Sequence, residues 1–157
     1  MEKEKRAFDI VTLCPPMTFG PVVHPISNVD DLNESNAGLW RIACGESPLP
    51  VARVPFWIDV RDLAEAHVEA LLRPEAENRR FIPAAPEHFS YSLAAKIMLE
   101  EFPWAKGNVS EEPEQTIDDS HAVDGATVTK VLGVKYRTFR ETIVDLITQV
   151  TEMEKHS

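Results

Sequence analysis

Trp57-Ile-Asp-Val-Arg-Asp-Leu-Ala-Glu-Ala-His67 is the stretch whose reading decides the fold. Together with the preceding residues it gives a short extended run, Val54 to Ile58, rich in β-branched and aromatic side chains. Asp59 then stands where a helix needs an N-cap, and Asp62 adds negative charge to the first turn. Alanines 64, 66 and 70 beside Leu63, His67 and Leu71 give the helix a narrow small-residue face suited to lying against a sheet. Pro74 stops it. A strand running straight into an amphipathic helix predicts an α/β fold.

Working outward, the alternation continues. Phe8 to Cys14 is a β-rich apolar run closed by Pro15-Pro16, and it reads as a central parallel strand buried on both faces. Residues 15–37, with four prolines, predict a long loop with one turn of helix after Asn28. A helix is expected over Asn36 to Cys44, ending at Gly45. Arg80 to Ala84 reads as a second strand, confined by Pro83 to an edge or a strand end. Ser90 caps a helix from Tyr91 to Phe102, with Leu93, Ala94, Ile97, Met98 and Phe102 at helical spacing and Pro103 as its stop. Residues 105–120 read as a solvated acidic connector. Thr127 to Leu132 is helical up to Gly133. Thr138 with Glu141 forms a capping box for a last helix whose apolar face is Phe139, Ile143, Leu146, Ile147 and Val150.

At 157 residues and 43% hydrophobic the chain has material for one core. A net charge of −10 without any Lys/Arg stripe argues against nucleic acid. No run of about 18 apolar residues occurs, which argues against a membrane span, and Met1 to Arg6 leads into a strand and not a signal-peptide core, so a cytoplasmic protein is expected. Cys14 and Cys44 have neither CxxC nor metal-ligand spacing and are expected to be packed thiols.

Chemistry-bearing motifs are sparse. The six glycines (20, 38, 45, 107, 125 and 133) form no GxGxxG or Walker loop. Tyr91 precedes Lys96 by five positions, about 140° around a helix axis, so the two cannot share a face as a Tyr-x-x-x-Lys pair does. Histidines 24, 67, 88, 121 and 156 lack metal-site spacing, so no metal is expected. His67 is expected to be packed or half-buried, His24 to be the histidine that meets a ligand, and Asp59 and Asp62 to be helix-start residues.

Two segments carry a family resemblance. Cys14-Pro-Pro-Met-Thr-Phe-Gly-Pro21 and residues 57–67 resemble the C-terminal half of the extended short-chain dehydrogenases/reductases, in the branch of dihydroflavonol reductases and methylglyoxal reductase-like enzymes. The first segment is similar to that branch's Asn-Pro-x-x-Val-x-Gly-Pro loop, with Cys14 in place of Asn and Thr18 in place of Val. The second matches its Phe/Trp-Ile-Asp-Val-Arg-Asp-x-Ala-x-Ala-His stretch almost residue for residue. Val131 to Asp145 is similar to the family's closing helix and its lead-in.

The resemblance implies a partial Rossmann-like fold, the last strands and helices of a doubly wound sheet plus a small substrate-binding subdomain. The expected division is a residual Rossmann part over 7–84, a substrate-side part over 85–137 and a C-terminal helix over 138–154. It implies NADP as the family's cofactor, with Pro15, Pro16, Met17 and Thr18 at the nicotinamide and Phe19, Val22 and His24 at a small hydrophobic carbonyl substrate. The family's glycine loop and its Tyr-x-x-x-Lys pair have no counterpart in 1–157, so the chain alone is expected neither to bind NADP nor to reduce a substrate. Self-association or a partner chain covering the sheet edge is expected. Two further readings stand beside this one: a cofactor-independent isomerase or cyclase using the pocket, and a non-catalytic module pairing with a full-length homologue.

Overall fold

Parallel pairing sets the frame of the molecule, a computed structural model that describes residues 8–118 and 120–156. The expectations placed on Met1 to Arg6 and on Asp119 lie outside the described residues. β1 (Thr12–Leu13) lies beside β4 (Arg80–Phe81), Thr12 opposite Arg80 and Leu13 opposite Phe81. β2 (Met17–Phe19) lies beside β3 (Trp57–Asp59), Met17 opposite Trp57 and Phe19 opposite Asp59. Parallel neighbours require crossovers, and helices supply them here. A 3-10 turn (Val29–Asp31) and α1 (Glu34–Ala43) stand between β2 and β3, and α2 (Val60–Leu72) stands between β3 and β4. α3 (Tyr91–Glu101), α4 (Ala126–Leu132) and α5 (Phe139–His156) follow.

Local chemistry fixes the helix ends where the sequence predicts them. Asp59 accepts the Arg61 amide at 2.8 Å and Ser90 Oγ accepts that of Leu93 at 3.0 Å, each satisfying a donor with no helical partner. Asn28 and Asp31 make a reciprocal capping box around the 3-10 turn. Glu141 accepts the Thr138 amide at 2.8 Å at the start of α5. Gly133, at φ +77°, ends α4 in the left-handed conformation that glycine adopts without strain.

Two apolar clusters result. The larger gathers Phe19, Trp57, Phe89 and Phe139 with α1, α3 and α5; Phe139 lies edge-on to Phe19 and Trp57, with ring centroids 6.1 and 4.9 Å apart. Into it α5 delivers Phe139, Ile143, Leu146, Ile147 and Val150, all buried, each contributing about 2 kcal/mol of transfer free energy. The smaller cluster sits between β1, β4, α2 and α4 and holds Ala66, Ala70, Ala76, Phe81, Val128, Leu132 and Val134. Packing therefore joins α4 to the strand pair β1–β4, and joins α1 to α3 and α5.

Several expectations are corrected. The run from Phe8 to Cys14 pairs only at Thr12 and Leu13, and Phe8 and Ile10 are exposed, because among the described residues β1 has a partner on one side only. The second strand stops at Phe81, although Ala85 still donates to Trp57 O at 2.8 Å. Cys14 and Cys44 are exposed, not packed. His67 is exposed as well, its Nδ1 2.8 Å from the Leu63 carbonyl of its own helix. The acidic connector is largely solvated, as expected, and a few bonds hold it down: Glu112 accepts the Leu49 amide at 2.9 Å, and Gln115 bonds both Ser92 and the Pro50 carbonyl.

Candidate functional site

The segment from Cys14 to His24 is positioned by bonds the sequence does not advertise. Cys14 N donates to Phe81 O at 2.9 Å, holding the end of β1 against β4. Pro15 and Pro16 lack N–H groups and turn the chain outward into β2. Gly20 adopts φ +124°, and a Cβ there would stand 3.1 Å from Val60 Cγ1 and 3.2 Å from Asp59 Oδ2. Both the positive φ and the crowding call for glycine. Buried Asn36 clamps its peptide, Oδ1 accepting from Gly20 N at 3.2 Å and Nδ2 donating to Gly20 O at 2.8 Å. Gln149 of α5 does the same for Val22, at 2.7 and 2.8 Å.

Of the residues singled out in the sequence, Pro15 is exposed while Pro16, Met17 and Thr18 are half-buried along the start of β2. Val22 is half-buried and His24 is exposed. Phe19 is the correction. Expected at the border of a substrate pocket, it has no exposed surface and packs edge-on to Phe89 with ring centroids 5.0 Å apart. Period-two alternation along β2 sends it inward.

Beneath this segment lies an ionic junction. Asp59, fully buried, accepts from Arg61 Nε at 2.9 Å, Arg61 Nη2 at 2.8 Å and Thr142 Oγ1 at 2.7 Å. Burial pushes its carboxyl up, but the bonds from Arg61 and Thr142 outweigh that and hold it below the usual carboxylate range. Arg61 also reaches Asp145 at 2.6 Å. Asp62 accepts the Arg137 amide at 2.7 Å and pairs with the Arg137 guanidinium. There burial is the larger effect, and the Asp62 carboxyl sits above its ordinary value. Both carboxylates are thus helix-start residues, as the spacing predicts, and they also tie the start of α2 to α5 and its lead-in. Their oxygens are occupied by Arg61, Thr142 and Arg137.

Fit to a dinucleotide is partial at best. The turn after β1 offers two prolines where a pyrophosphate cradle needs consecutive N–H donors, and no glycine loop opens a helix. The described residues therefore supply no cradle for the phosphate half of such a cofactor. Among the described residues no group of His, Cys, Asp and Glu could hold a metal ion, and no helix is long and apolar enough to cross a membrane.

Two parallel strand pairs with helical crossovers, fed by a proline turn and locked by the Asp59–Arg61 junction, define part of a Rossmann-like reductase fold. No protein-family model matches the chain. An uncharacterized oxidoreductase of Schizosaccharomyces pombe is 32% identical over 155 residues, 97% of this chain and 45% of that protein. The ketoreductase azaE of Aspergillus niger is 32% identical over 162 residues, again 97% of this chain and 46% of the relative. The crystal structure of yeast methylglyoxal/isovaleraldehyde reductase Gre2 complexed with NADPH superposes with a TM-score of 0.77 at 26% identity, over 94% of this chain and 47% of that one. The chain is similar to short-chain dehydrogenase/reductase-type oxidoreductases and corresponds to their C-terminal half. It spans about half the length of the curated relatives it matches.

Proposed function

We propose that this chain forms the substrate-side half of an NAD(P)H-dependent carbonyl reductase, acting with a nucleotide-binding half supplied by residues outside 1–157. The observation that carries the reading is the unfinished flank of β1 and α2. Leu71 is 85% exposed and Phe8 68% exposed, beside an open cleft of about 490 Å³ whose walls include Val11, Leu13 and Ala70. An apolar parallel-strand edge of this kind is a surface made to be covered. Relatives with twice the length have the material to cover it.

In this reading Pro15, Pro16, Met17 and Thr18 form a wall beside the nicotinamide, and Val22 and His24 face a small hydrophobic aldehyde or ketone. Phe19 supports them from the core. The residues of this chain bind and orient; the glycine loop and the proton-delivering tyrosine belong to the other half. A cytoplasmic setting accompanies the proposal, supported by two exposed, unbonded cysteines.

The test is reconstitution. The purified chain is mixed with the glycine-loop and Tyr-x-x-x-Lys half of the fission yeast relative, followed by light scattering and by NADPH oxidation in the presence of small aldehydes and ketones. A one-to-one complex with carbonyl-dependent oxidation is expected from the mixture only. Absence of any complex, or micromolar NADPH binding by the 157-residue chain alone, overturns the reading.

A further inference from the structure

A cleft of about 600 Å³ opens between the turn that follows β4 and the start of α4, and shares no lining residue with the 14–24 segment. That volume is within the range of small-molecule sites. Its floor is apolar and firmly held: Phe56, Ala84 and Ala85 are all buried. His88 stands edge-on to Phe56, with ring centroids 5.2 Å apart. Tyr136 closes one side and donates its hydroxyl to Gly125 O at 3.1 Å. Gly125 fixes the back wall, since a Cβ there would lie 2.2 Å from the Ala84 carbonyl oxygen.

Charge separates this cleft from the rest of the surface. The chain has 26 acidic residues among 157, yet among the described residues no carboxylate side chain lines the cleft, Asp62 and Asp124 acting on Tyr136 from outside the lining, while Lys130, His88 and His121 do line it. His121 is already engaged, bonding Ser120 Oγ at 2.8 Å with Asp118 4.0 Å away. The Lys130 ammonium makes no hydrogen bond or ion pair with another described residue. An ammonium of this kind at the rim of a cavity lined by four aromatic ring side chains, Phe56, His88, His121 and Tyr136, suits a flat apolar ligand with one negative end.

We propose that this cleft binds a small planar aromatic molecule carrying one carboxylate, the ring lying over Phe56 and Tyr136 and the carboxylate facing Lys130. The probe is 2-naphthoate, titrated calorimetrically into the 157-residue chain with no nucleotide present, so the outcome is independent of the reductase reading. Saturable one-to-one binding is expected, with Kd below about 1 mM. Lys130→Gln, or replacement of the probe by neutral 2-naphthylmethanol, should weaken it by about tenfold or more, an energy of roughly 1.4 kcal/mol. Thr129→Trp, on the exposed lining of the cleft, should abolish it, whereas Lys106→Gln, remote from the lining, should leave it unchanged. Thermal melts establish that each variant is folded. No saturable heat, equal affinity for the neutral alcohol, or unaltered binding in both Lys130→Gln and Thr129→Trp overturns the proposal.

Discussion

Around β2 and β3 the interior is filled by Phe19, Trp57, Phe89 and Phe139, none more than 1% exposed. Around β1 and β4 a smaller interior combines Ala66, Ala70 and Ala76 with Phe81, Val128, Leu132 and Val134, and Leu71 and Leu72 of α2 face outward. Both regions use the same parts, a two-strand parallel pair and the helices joined to it. The first is covered by α1, α3 and α5 and the second by α2 and α4, and among the described residues each pair has only its two strands. The larger first core is therefore expected to carry most of the stability, and the exposed leucines of the second are the surface on which the proposed association would fall.

The largest effect that can break this comparison is truncation of Phe139. Phe139→Ala is expected to cost about 3–5 kcal/mol by urea unfolding, because the ring is fully enclosed by three aromatic neighbours. A loss under 1 kcal/mol would show that the larger core is not the stabilising one.

Next in size is the ionic junction. Asp59→Ala should cost about 3 kcal/mol, since it strips a buried acceptor from Arg61 and Thr142. Asp59 is depressed in the folded state, so its contribution is present above the ordinary carboxylate range and disappears as pH falls through the lowered folded value. Asp62 is raised and acts in the opposite sense, favouring the fold at low pH and losing that contribution as pH rises through its folded value. Urea midpoints between pH 2 and 5 should accordingly fall less steeply toward acid in Asp59→Asn and more steeply in Asp62→Asn. Parallel curves for wild type and both variants would place the acid sensitivity elsewhere.

A smaller effect belongs to the second region. Tyr136→Phe removes one hydrogen bond to Gly125 and should cost about 1 kcal/mol by thermal melting. Burial pushes the Tyr136 hydroxyl up to about 12, so the same change should remove the later of the two phenolate absorbance steps. Smallest of all on stability is Leu71→Ser, expected within about 0.5 kcal/mol of wild type. Its effect should appear in sedimentation, as weaker self-association or weaker capture of the nucleotide-binding half. A large loss of stability there would mean that the β1 flank is already a finished core.

Much of this was legible because the deciding signals are local. Asp59, Ser90, Thr138 with Glu141, and Gly133 each set a helix end through bonds spanning four residues or fewer, and spacing alone exposes them. Strand extent was not local. Phe8 to Cys14 has the composition of a central strand, but how many of its residues pair depends on which neighbours lie beside it. The site residues divide the same way. The resemblance marked the 14–24 segment, while its placement rests on Asn36 and on Gln149, which bonds Val22 across 127 positions of chain, beyond any sequence window. Phe19 was misread because proximity in sequence to a loop says nothing about which face of a three-residue strand turns inward.

The paired amide clamps on Gly20 and Val22 have an evolutionary consequence. Asn36 and Gln149 pin the chain on one side of residues 23–28, and the Asn28 capping box pins it on the other. Between them Val23 and His24 project freely. Exchanges at Val23 and His24 can therefore accumulate without disturbing the strands or α1, whereas Ile26, packed on the larger core, and Ser27 and Asn28, bonded to Asp31, hold the rest of the span.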